Sequence, residues 1–368
     1  MTFRKKVSRT ARLLAPHWAK RIAARAFKKK KALPSVTPRR VSAAEIGECL
    51  RKLGLRRGDT LLAQTALSRI GSVDGGPPAY IRALESCVGP AGTLLIPTFN
   101  EPPRSYSQKF FYDVRNTPCN TGIVAEAFRK QDGVLRSLHP THSVSAKGPI
   151  AGRWLAGHEL SPTGFGSGTP YDHLAKEGGK ILLVGNNNNS LVHYVELQAG
   201  FPLTHLPGSM QAGVVGYDGR RSEVEIRLHT LGERLVIVED STPEARDYVL
   251  LQDYLLIPGE DRRREIRALG FLRNSPGFLA SRQEELERSG VLKFGRVGGA
   301  DAAVIDAKPF TSRLAADLRR NLSANKGEYA AMASLSRNWN EIQWYCMVWR
   351  SRTALSAVKA ARRALGGR

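Results

Sequence analysis

Residues 180–199 read KILLVGNNNNSLVHYVELQA and predict one unit of an α/β fold. The apolar run at 180–184 is typical of a buried strand, Gly185 ends it, and residues 190–199 follow a polar loop with helical spacing. Ligands of α/β sheets bind beyond the carboxyl ends of the strands. This unit therefore indicates both the fold class and the edge of the sheet where a site is expected.

The same alternation continues on both sides of this unit. Ser42 is an N-cap candidate, and Glu45 completes a capping box before an amphipathic run. Helices are predicted at 41–53, 80–88, 123–130, 262–269 and 281–289, and strands at 60–63, 93–97, 291–297 and 302–305. A turn at 217–220 between two β-rich runs predicts an antiparallel hairpin within 216–240. Strands alternating with helices predict an α/β layer structure.

Composition excludes several classes of protein. The 368 residues are 42% hydrophobic and 24% charged, which is ordinary for a globular chain and excludes a fibre or a largely disordered protein. No apolar run approaches the roughly 18 residues of a membrane span. The four cysteines form no C-x-x-C pair, so neither a zinc site nor a disulfide framework is expected, and a reducing cytoplasm is the default location.

The net charge of +23 belongs to the ends of the chain. Residues 1–40 hold 14 Lys and Arg and no acid, and residues 326–368 hold 8 Lys and Arg against 2 acids, whereas residues 41–325 hold 34 against 31. The expected organisation is a basic N-terminal extension (1–40), one α/β domain (41–325) and a basic, Trp-containing C-terminal extension (326–368). A nucleic-acid-binding fold is not indicated, because the middle is nearly neutral.

Both extensions have helical spacing. An apolar face that includes Phe3, Val7 and Trp18 fits a helix that is solvated or packed on its own domain, one that adsorbs to an anionic membrane or polysaccharide, or an organelle transit peptide. The stripe from Leu335 to Trp349 fits a packing or partner face, or a membrane anchor. A cytoplasmic protein that is peripheral to the membrane is compatible with both.

The helix at 190–199 carries the strongest chemical pattern. Ser190, His193 and Glu196 follow at steps of three, which places His193 between a hydroxyl and a carboxylate on one face. A histidine beside a carboxylate is a general base with an orienting group, and a neighbouring hydroxyl can donate to a developing oxyanion. The alternative is an ordinary polar helix face.

Two further segments are candidates for anion binding. Residues 71–78, GSVDGGPP, lie between a strand and a helix, where glycines let backbone N–H groups approach a phosphate; the alternative is an ordinary turn. The pattern is neither a dinucleotide fingerprint nor a P-loop. Residues 136–143, RSLHPTHS, suggest an anion-facing loop around Arg136, or, through His139 and His142, metal ligands without a third partner.

In order along the chain, several segments resemble the aminoglycoside 3-N-acetyltransferase family. The resemblance covers about residues 41–320 and rests on the segments at 65–76, 89–99, 115–122, 126–129, 136–143, 168–172 and 190–196. It implies a mixed central sheet with flanking helices, acetyl-CoA as the acetyl donor, a primary amine of an aminoglycoside as the acceptor, and no metal.

The resemblance also implies roles for individual residues. His193 would be the general base of a direct transfer, Ser190 would stabilise the thioester oxyanion, and Glu196 would orient His193 or, with Asp172, hold the cationic substrate. The residues expected to contact the coenzyme are Leu67, Ser68, Arg69, Ile70, Gly71, Gly75, Arg136, Ser137 and His139.

Two departures from the family pattern bear on the coenzyme and the acceptor. The family carries His and Ser where this chain has Gln64 and Ala66, which implies the loss of one hydroxyl contact to the coenzyme. The basic extensions suit instead an amino sugar of a cell-surface polysaccharide as the acceptor. A non-catalytic binding protein tethered by its tails is a further alternative.

Overall fold

The fold is described from a computed structural model. It covers residues 39–100, 107, 109–186, 189–201, 208–228, 285–324 and 326, and the backbone of 235–239 and 246–250. Three predicted features lie outside these residues: the helical face that includes Phe3, Val7 and Trp18, the helix at 262–269, and the stripe from Leu335 to Trp349. The first half of the helix predicted at 281–289 also lies outside them.

The strands and helices alternate as the sequence predicts. In chain order the strands are β1 (Arg40–Val41), β2 (Thr60–Thr65), β3 (Ser72–Val73), β4 (Thr93–Pro97), β5 (Phe111–Asp113), β6 (Leu135–Arg136), β7 (Val144–Lys147), β8 (Lys180–Val184), β9 (Met210–Val215), β10 (Arg221–Ile226), β11 (Leu235–Glu239), β12 (Arg246–Leu250), β13 (Leu292–Val297) and β14 (Ala300–Asp306). The helices are α1 (Ala43–Lys52), α2 (Leu67–Ile70), α3 (Gly76–Val88), α4 (Ile123–Phe128), α5 (Ala151–Leu155), α6 (Pro170–Glu177), α7 (Leu191–Ala199) and α8 (Ala307–Ala324).

Most differences from the predicted bounds have local causes. Ser42 caps α1 by accepting a hydrogen bond from the Glu45 N–H, as predicted, but Val41 pairs in β1 instead of joining the helix. Helix α3 begins at Gly76 rather than at residue 80, because prolines are well tolerated in the first turn of a helix. Helix α8 has no counterpart among the predicted elements.

The central sheet is mixed, which confirms the predicted fold class. Its strand order is β13-β14-β8-β2-β4-β7-β6. The three inner strands β8, β2 and β4 are parallel, and the flanking strands pair antiparallel to their neighbours. The hairpin predicted around 217–220 joins β9 and β10, with Arg221 opposite Val215.

Helices cover both faces of this sheet. Successive residues of a strand point to opposite faces, so Leu61 packs in one core with α1, α3 and α4, and Leu62 packs in the other with α5, α6, α7 and α8. The parallel pairing of β2 with β8 sets Thr65 opposite Val184, and the Ala66 N–H donates to the Val184 carbonyl. The loops that follow β2 and β8 therefore leave the sheet at the same edge.

Two adjacent glycines before β8, Gly178 and Gly179, differ in the space around them and so allow a test of the packing at this end of the sheet. A Cβ on Gly179 would lie 2.6 Å from Leu174 Cδ1 and 2.9 Å from the Thr60 carbonyl oxygen, whereas a Cβ on Gly178 would meet nothing within 4 Å. Both residues have positive φ, so both alanine substitutions strain the backbone. Overpacking adds about 1–3 kcal/mol, so Gly179→Ala should lower the free energy of unfolding by about that much more than Gly178→Ala. Urea denaturation measures the difference, and equal losses would contradict the packing.

Candidate active site

The structure brings His193 and Glu196 together at the edge where β8 ends. Both lie on α7, and His193 Nδ1 is 3.3 Å from Glu196 Oε2. The Glu196 side chain is fully buried, whereas the His193 ring is 17% exposed. The ring also packs against Phe165, with centroids 4.8 Å apart. The histidine thus has one nitrogen facing a buried carboxylate and retains access to solvent.

This geometry selects one form of the neutral imidazole. A carboxylate only accepts hydrogen bonds, so the hydrogen of neutral His193 lies on Nδ1, and Nε2 keeps its lone pair. An imidazole held in this way has the arrangement of a general base with an orienting group. The contact expected from the spacing of residues 193 and 196 is therefore present.

Ser190 lies immediately before α7 and is held from the neighbouring strand. Gln64, at the end of β2, donates from Nε2 to Ser190 Oγ at 2.9 Å, and the Ser190 N–H donates to Gln64 Oε1 at 2.9 Å. The two residues are 126 positions apart in sequence, so the contact carries no signal in local spacing. The only hint in the sequence is that Gln64 departs from the resembled family.

Tyr171 on α6 is a second residue near Ser190 that the sequence pattern does not single out. Its side chain is fully buried. Burial raises the pKa of Tyr171, and the neighbouring Ser190 side chain partly offsets the rise. The phenol is therefore uncharged at neutral pH, and it forms part of the wall beside the Ser190 hydroxyl.

The loop at 137–142 also approaches this region through aromatic packing. The His142 ring lies 4.8 Å from the Phe165 ring and 5.0 Å from the Phe99 ring, measured between centroids. Phe165 is thus shared between His142 and His193. His142 is half-buried, and its Nδ1 lies 2.9 Å from the hydroxyl of Thr141.

The guanidinium of Arg136 is turned into the protein, which does not support the hypothesis of an anion-facing loop. Arg136 is 3% exposed, and each of its guanidinium nitrogens donates to an acceptor of the protein. Nε donates to Ser143 Oγ, Nη1 to the Thr117 carbonyl, and Nη2 to the Thr98 carbonyl and to Asn100 Oδ1. Arg136 therefore ties together three segments behind the site, and the structure gives it no open side toward a coenzyme.

Ser137 and His139 are likewise internal, so direct side-chain contacts of these two with the coenzyme are not supported. The Ser137 hydroxyl accepts from the Val144 N–H and lies 2.8 Å from His158 Nδ1. His139 is fully buried, and its Nδ1 accepts from the His142 N–H at 3.0 Å. Both residues shape the hairpin between β6 and β7.

Asp172 is occupied within the protein, contrary to its expected role in substrate binding. Its carboxylate accepts from the Gly168 N–H, from Lys176 Nζ and from the Tyr194 hydroxyl, at 2.9–3.0 Å. Burial raises the pKa of Asp172, but these hydrogen bonds outweigh it, and the pKa lies below its ordinary value. Asp172 therefore braces the first turn of α6, which is capped by Thr169, and both of its carboxylate oxygens accept hydrogen bonds from the protein.

The loop after β2 retains part of its expected role. Ser68 and Arg69 are exposed on α2, where a bound phosphate can reach them, and Leu67 is half-buried. Ile70 is not available, because its side chain is in the core and its carbonyl accepts from the Gly299 N–H at 2.7 Å. The stem of Arg69 lies against Gly185 at the end of β8.

The glycines of this loop have the conformations that a tight turn requires. Gly71 has φ +121° and Gly75 has φ +77°, a region that other residues rarely adopt. Helix α3 begins at Gly76 with Pro77 and Pro78 in its first turn, and prolines have no N–H to donate. The loop therefore offers a few backbone donors, near Gly75 and Gly76, rather than a full helix N-terminus.

Two absences hold within the described part of the chain. No group of three or more His, Cys, Asp or Glu residues there is placed to hold a metal ion. No helix among these residues is both long and apolar enough to cross a membrane.

Comparison with known proteins assigns this chain to one family. The family model for aminoglycoside 3-N-acetyltransferase matches residues 62–318. The chain therefore belongs to the aminoglycoside 3-N-acetyltransferase family, as its motifs indicate.

Two curated relatives show how far the similarity extends. Aminoglycoside N(3)-acetyltransferase III of Salmonella sp is 33% identical over 174 residues, which span 43% of this chain and 60% of the relative. Aminoglycoside N(3)-acetyltransferase VII of Streptomyces paromomycinus is 28% identical over 305 residues, which span 78% of this chain and 94% of the relative. The chain thus spans less than two thirds of the first relative and nearly all of the second.

Solved structures share the fold. The aminoglycoside acetyltransferase AAC(3)-Xa matches with a TM-score of 0.56 and 26% identity, over 77% of this chain and 94% of that chain. The complex of AAC-IIIb with CoASH matches with a TM-score of 0.54 and 24% identity, over 77% of this chain and 97% of that chain.

The buried His158 predicts an acid-sensitive stability. Its Nε2 faces the Gly164 carbonyl, so Nε2 carries the hydrogen, and Nδ1 accepts from Ser137. Burial lowers the pKa of His158 from 6.5 to about 4. The unfolded chain therefore binds more protons than the folded chain between these values, and stability is lost as the pH falls from 6.5 toward 4, by about 3 kcal/mol in total.

Urea denaturation across this pH range measures that loss. The variant His158→Gln removes the titrating group, so its unfolding free energy should start lower at pH 7.5 but fall less steeply between pH 6.5 and 4.5. Parallel pH profiles for the two proteins would contradict the assignment.

Proposed function

We propose that this protein transfers the acetyl group of acetyl-CoA directly to a primary amine of an aminoglycoside, with His193 as the general base. The observation that carries the proposal is the contact of His193 Nδ1 with the buried carboxylate of Glu196, which leaves Nε2 as the basic atom at the edge of the sheet. Membership of the family, and the CoASH bound to the solved relative AAC-IIIb, support it.

Each residue of the site has a defined task in this reaction. Acetyl-CoA supplies the acetyl group, and its thiol is released. His193 Nε2 takes a proton from the amine as the nitrogen attacks, and Glu196 stabilises the imidazolium that forms. Ser190 donates its hydroxyl hydrogen to the carbonyl oxygen that gains charge. The proton leaves with the departing thiol, and the amide is the second product.

The coenzyme is expected beside α2 and the glycine turn. The exposed guanidinium of Arg69 and hydroxyl of Ser68 suit its phosphates, and the positive φ of Gly71 and Gly75 lets the backbone approach them closely. This assigns the phosphate contacts to residues 68–76, and not to the buried Arg136.

The acceptor has two candidates. The solved relative AAC-VIa binds sisomicin and a variant of AAC(3)-IVa binds a gentamicin, which favours an aminoglycoside. The pairing of Asp172 with Lys176 favours a less cationic amino sugar, such as one destined for a surface polysaccharide, because this acid is already occupied within the protein. The two classes differ in the number of ammonium groups that the cleft must hold.

One assay separates these candidates from a binding protein without activity. The full chain is mixed with acetyl-CoA and a panel of aminoglycosides and simple amino sugars, and thiol release and product mass are recorded. Transfer of one acetyl group to an amine supports the proposal and identifies the acceptor class. Binding of acetyl-CoA without thiol release on any amine would overturn it.

Removal of the base gives the first kinetic prediction. His193→Ala should lower kcat by about 10²–10⁴-fold, the range for loss of a general base, while the Kd for acetyl-CoA stays unchanged. His173→Ala is the matched control, because His173 lies on α6 against Trp154 and Glu177. Turnover of His193→Ala within threefold of the control would contradict the assignment of His193 as the general base.

The coenzyme contact gives a second prediction. Arg69→Ala should raise the KM for acetyl-CoA by about tenfold with little change in kcat, because a charge-assisted hydrogen bond to phosphate is lost. The effect should vanish with acetyl-pantetheine, a donor without the nucleotide phosphates. Arg220→Ala, in the exposed turn between β9 and β10, is the control. Equal effects on both donors would show that Arg69 does not contact a phosphate.

A further inference from the structure

The Ser190 hydroxyl does not cap helix α7, although Ser190 is at the N-cap position of this helix. A serine at a helix N-cap usually accepts a hydrogen bond from an N–H of the first turn. Ser190 makes no such cap, and its backbone has helical φ and ψ of −64° and −21°. Asn189 Oδ1 accepts from the Leu191 N–H instead. The first turn of α7 is thus capped by the preceding residue, and the Ser190 hydroxyl is held by Gln64.

The pair of hydrogen bonds between Gln64 and Ser190 has only one possible polarity. The Ser190 backbone N–H can only donate, so the atom of Gln64 facing it is Oε1. The other amide atom is then Nε2, which can only donate, so Ser190 Oγ is the acceptor. The hydroxyl hydrogen of Ser190 is therefore directed away from Gln64.

We propose that Gln64 is a positioning residue that fixes Ser190 Oγ as the acceptor of one hydrogen bond and so reserves its hydrogen for the acyl oxygen of the reaction. The inference rests on the proposed acetyl transfer. Ser190 is 5% exposed, so its hydroxyl acts in a site with little water. Because the direction of this hydroxyl is fixed before the substrate binds, it does not need to reorient during the reaction.

The sheet holds Gln64 in the required place. Gln64 pairs with Leu183 of β8 in the parallel ladder, and the next residue, Thr65, is hydrogen-bonded to the buried Tyr80 hydroxyl at 2.8 Å. The end of β2 is therefore fixed on both sides, and the amide reaches Ser190 from a rigid strand rather than from a loop. A side chain held in this way can set the direction of a hydroxyl bond.

Gln64→Glu is the sharpest test, because the substitution is nearly isosteric and reverses the direction of the hydrogen bond between residue 64 and Ser190 Oγ. The carboxylate still accepts from the Ser190 N–H, but it also accepts the Ser190 hydroxyl hydrogen and so withdraws that hydrogen from the acyl oxygen. We expect kcat to fall by about ten- to hundredfold, with the KM of acetyl-CoA and of the amine unchanged. Gln211→Glu, on the exposed part of β9, controls for the added charge.

The same substitution in a Ser190→Ala background separates positioning from structure. If Gln64 acts through the hydroxyl, Gln64→Glu should change kcat less than about twofold once that hydroxyl is gone. Gln64→His, whose ring N–H can donate to Oγ, should keep kcat within about threefold of wild type. If Gln64→Glu does not fold, the comparison of Gln64→His with Gln64→Leu, each with and without Ser190, decides the question.

The outcomes distinguish this inference from the proposed function. If the wild-type chain releases no thiol with any amine, the proposed acetyl transfer itself is ruled out. An active wild type with full turnover in Gln64→Glu, or with an equal loss in the Ser190→Ala background, overturns the role of Gln64 alone. Loss of turnover confined to variants that retain Ser190 supports it.

Discussion

The parallel pairing of β2 with β8 is the constraint on which the site depends. It sets Thr65 opposite Val184, and the Ala66 N–H closes the ladder on the Val184 carbonyl. From this edge one loop leads to Arg69 and the glycine turn, and the other leads to Ser190 and His193. Ser190, His193 and Arg69 are thus brought to one edge of the sheet by two short buried strands whose register is fixed by cores on both faces.

Behind this edge lies a layer of polar groups that support the site. The buried Arg136 guanidinium binds acceptors on segments around residues 98, 117 and 143, and burial lowers its pKa without a carboxylate among its hydrogen-bond partners. Such a buried cation is tolerated because each of its three nitrogens donates to an acceptor. The stretch RSLHPTHS is therefore better understood as a brace for the hairpin of β6 and β7 than as an anion site.

Local patterns predicted what depends on neighbouring residues. Strand β8 has the predicted bounds, and the contact of His193 with Glu196 follows from helical spacing alone. Contacts between distant segments were not predictable in this way. The Gln64–Ser190 pair was not expected. Nor was the hydrogen bond that Asp172, a residue expected to bind the substrate, accepts from the Tyr194 hydroxyl. Residue type indicated which groups are polar, but only the fold showed which were already satisfied.

The central claim is that Glu196 fixes the neutral His193 ring with its hydrogen on Nδ1 and its lone pair on Nε2. Nitrogen NMR of the full chain labelled with ¹⁵N-histidine tests this directly, with the His193 signals assigned by their absence in His193→Ala. The account predicts, at a pH where His193 is neutral, a protonated Nδ1 and an unprotonated Nε2. A ring protonated on Nε2 under these conditions would contradict it, because the atom assigned as the base would then have no lone pair to accept a proton.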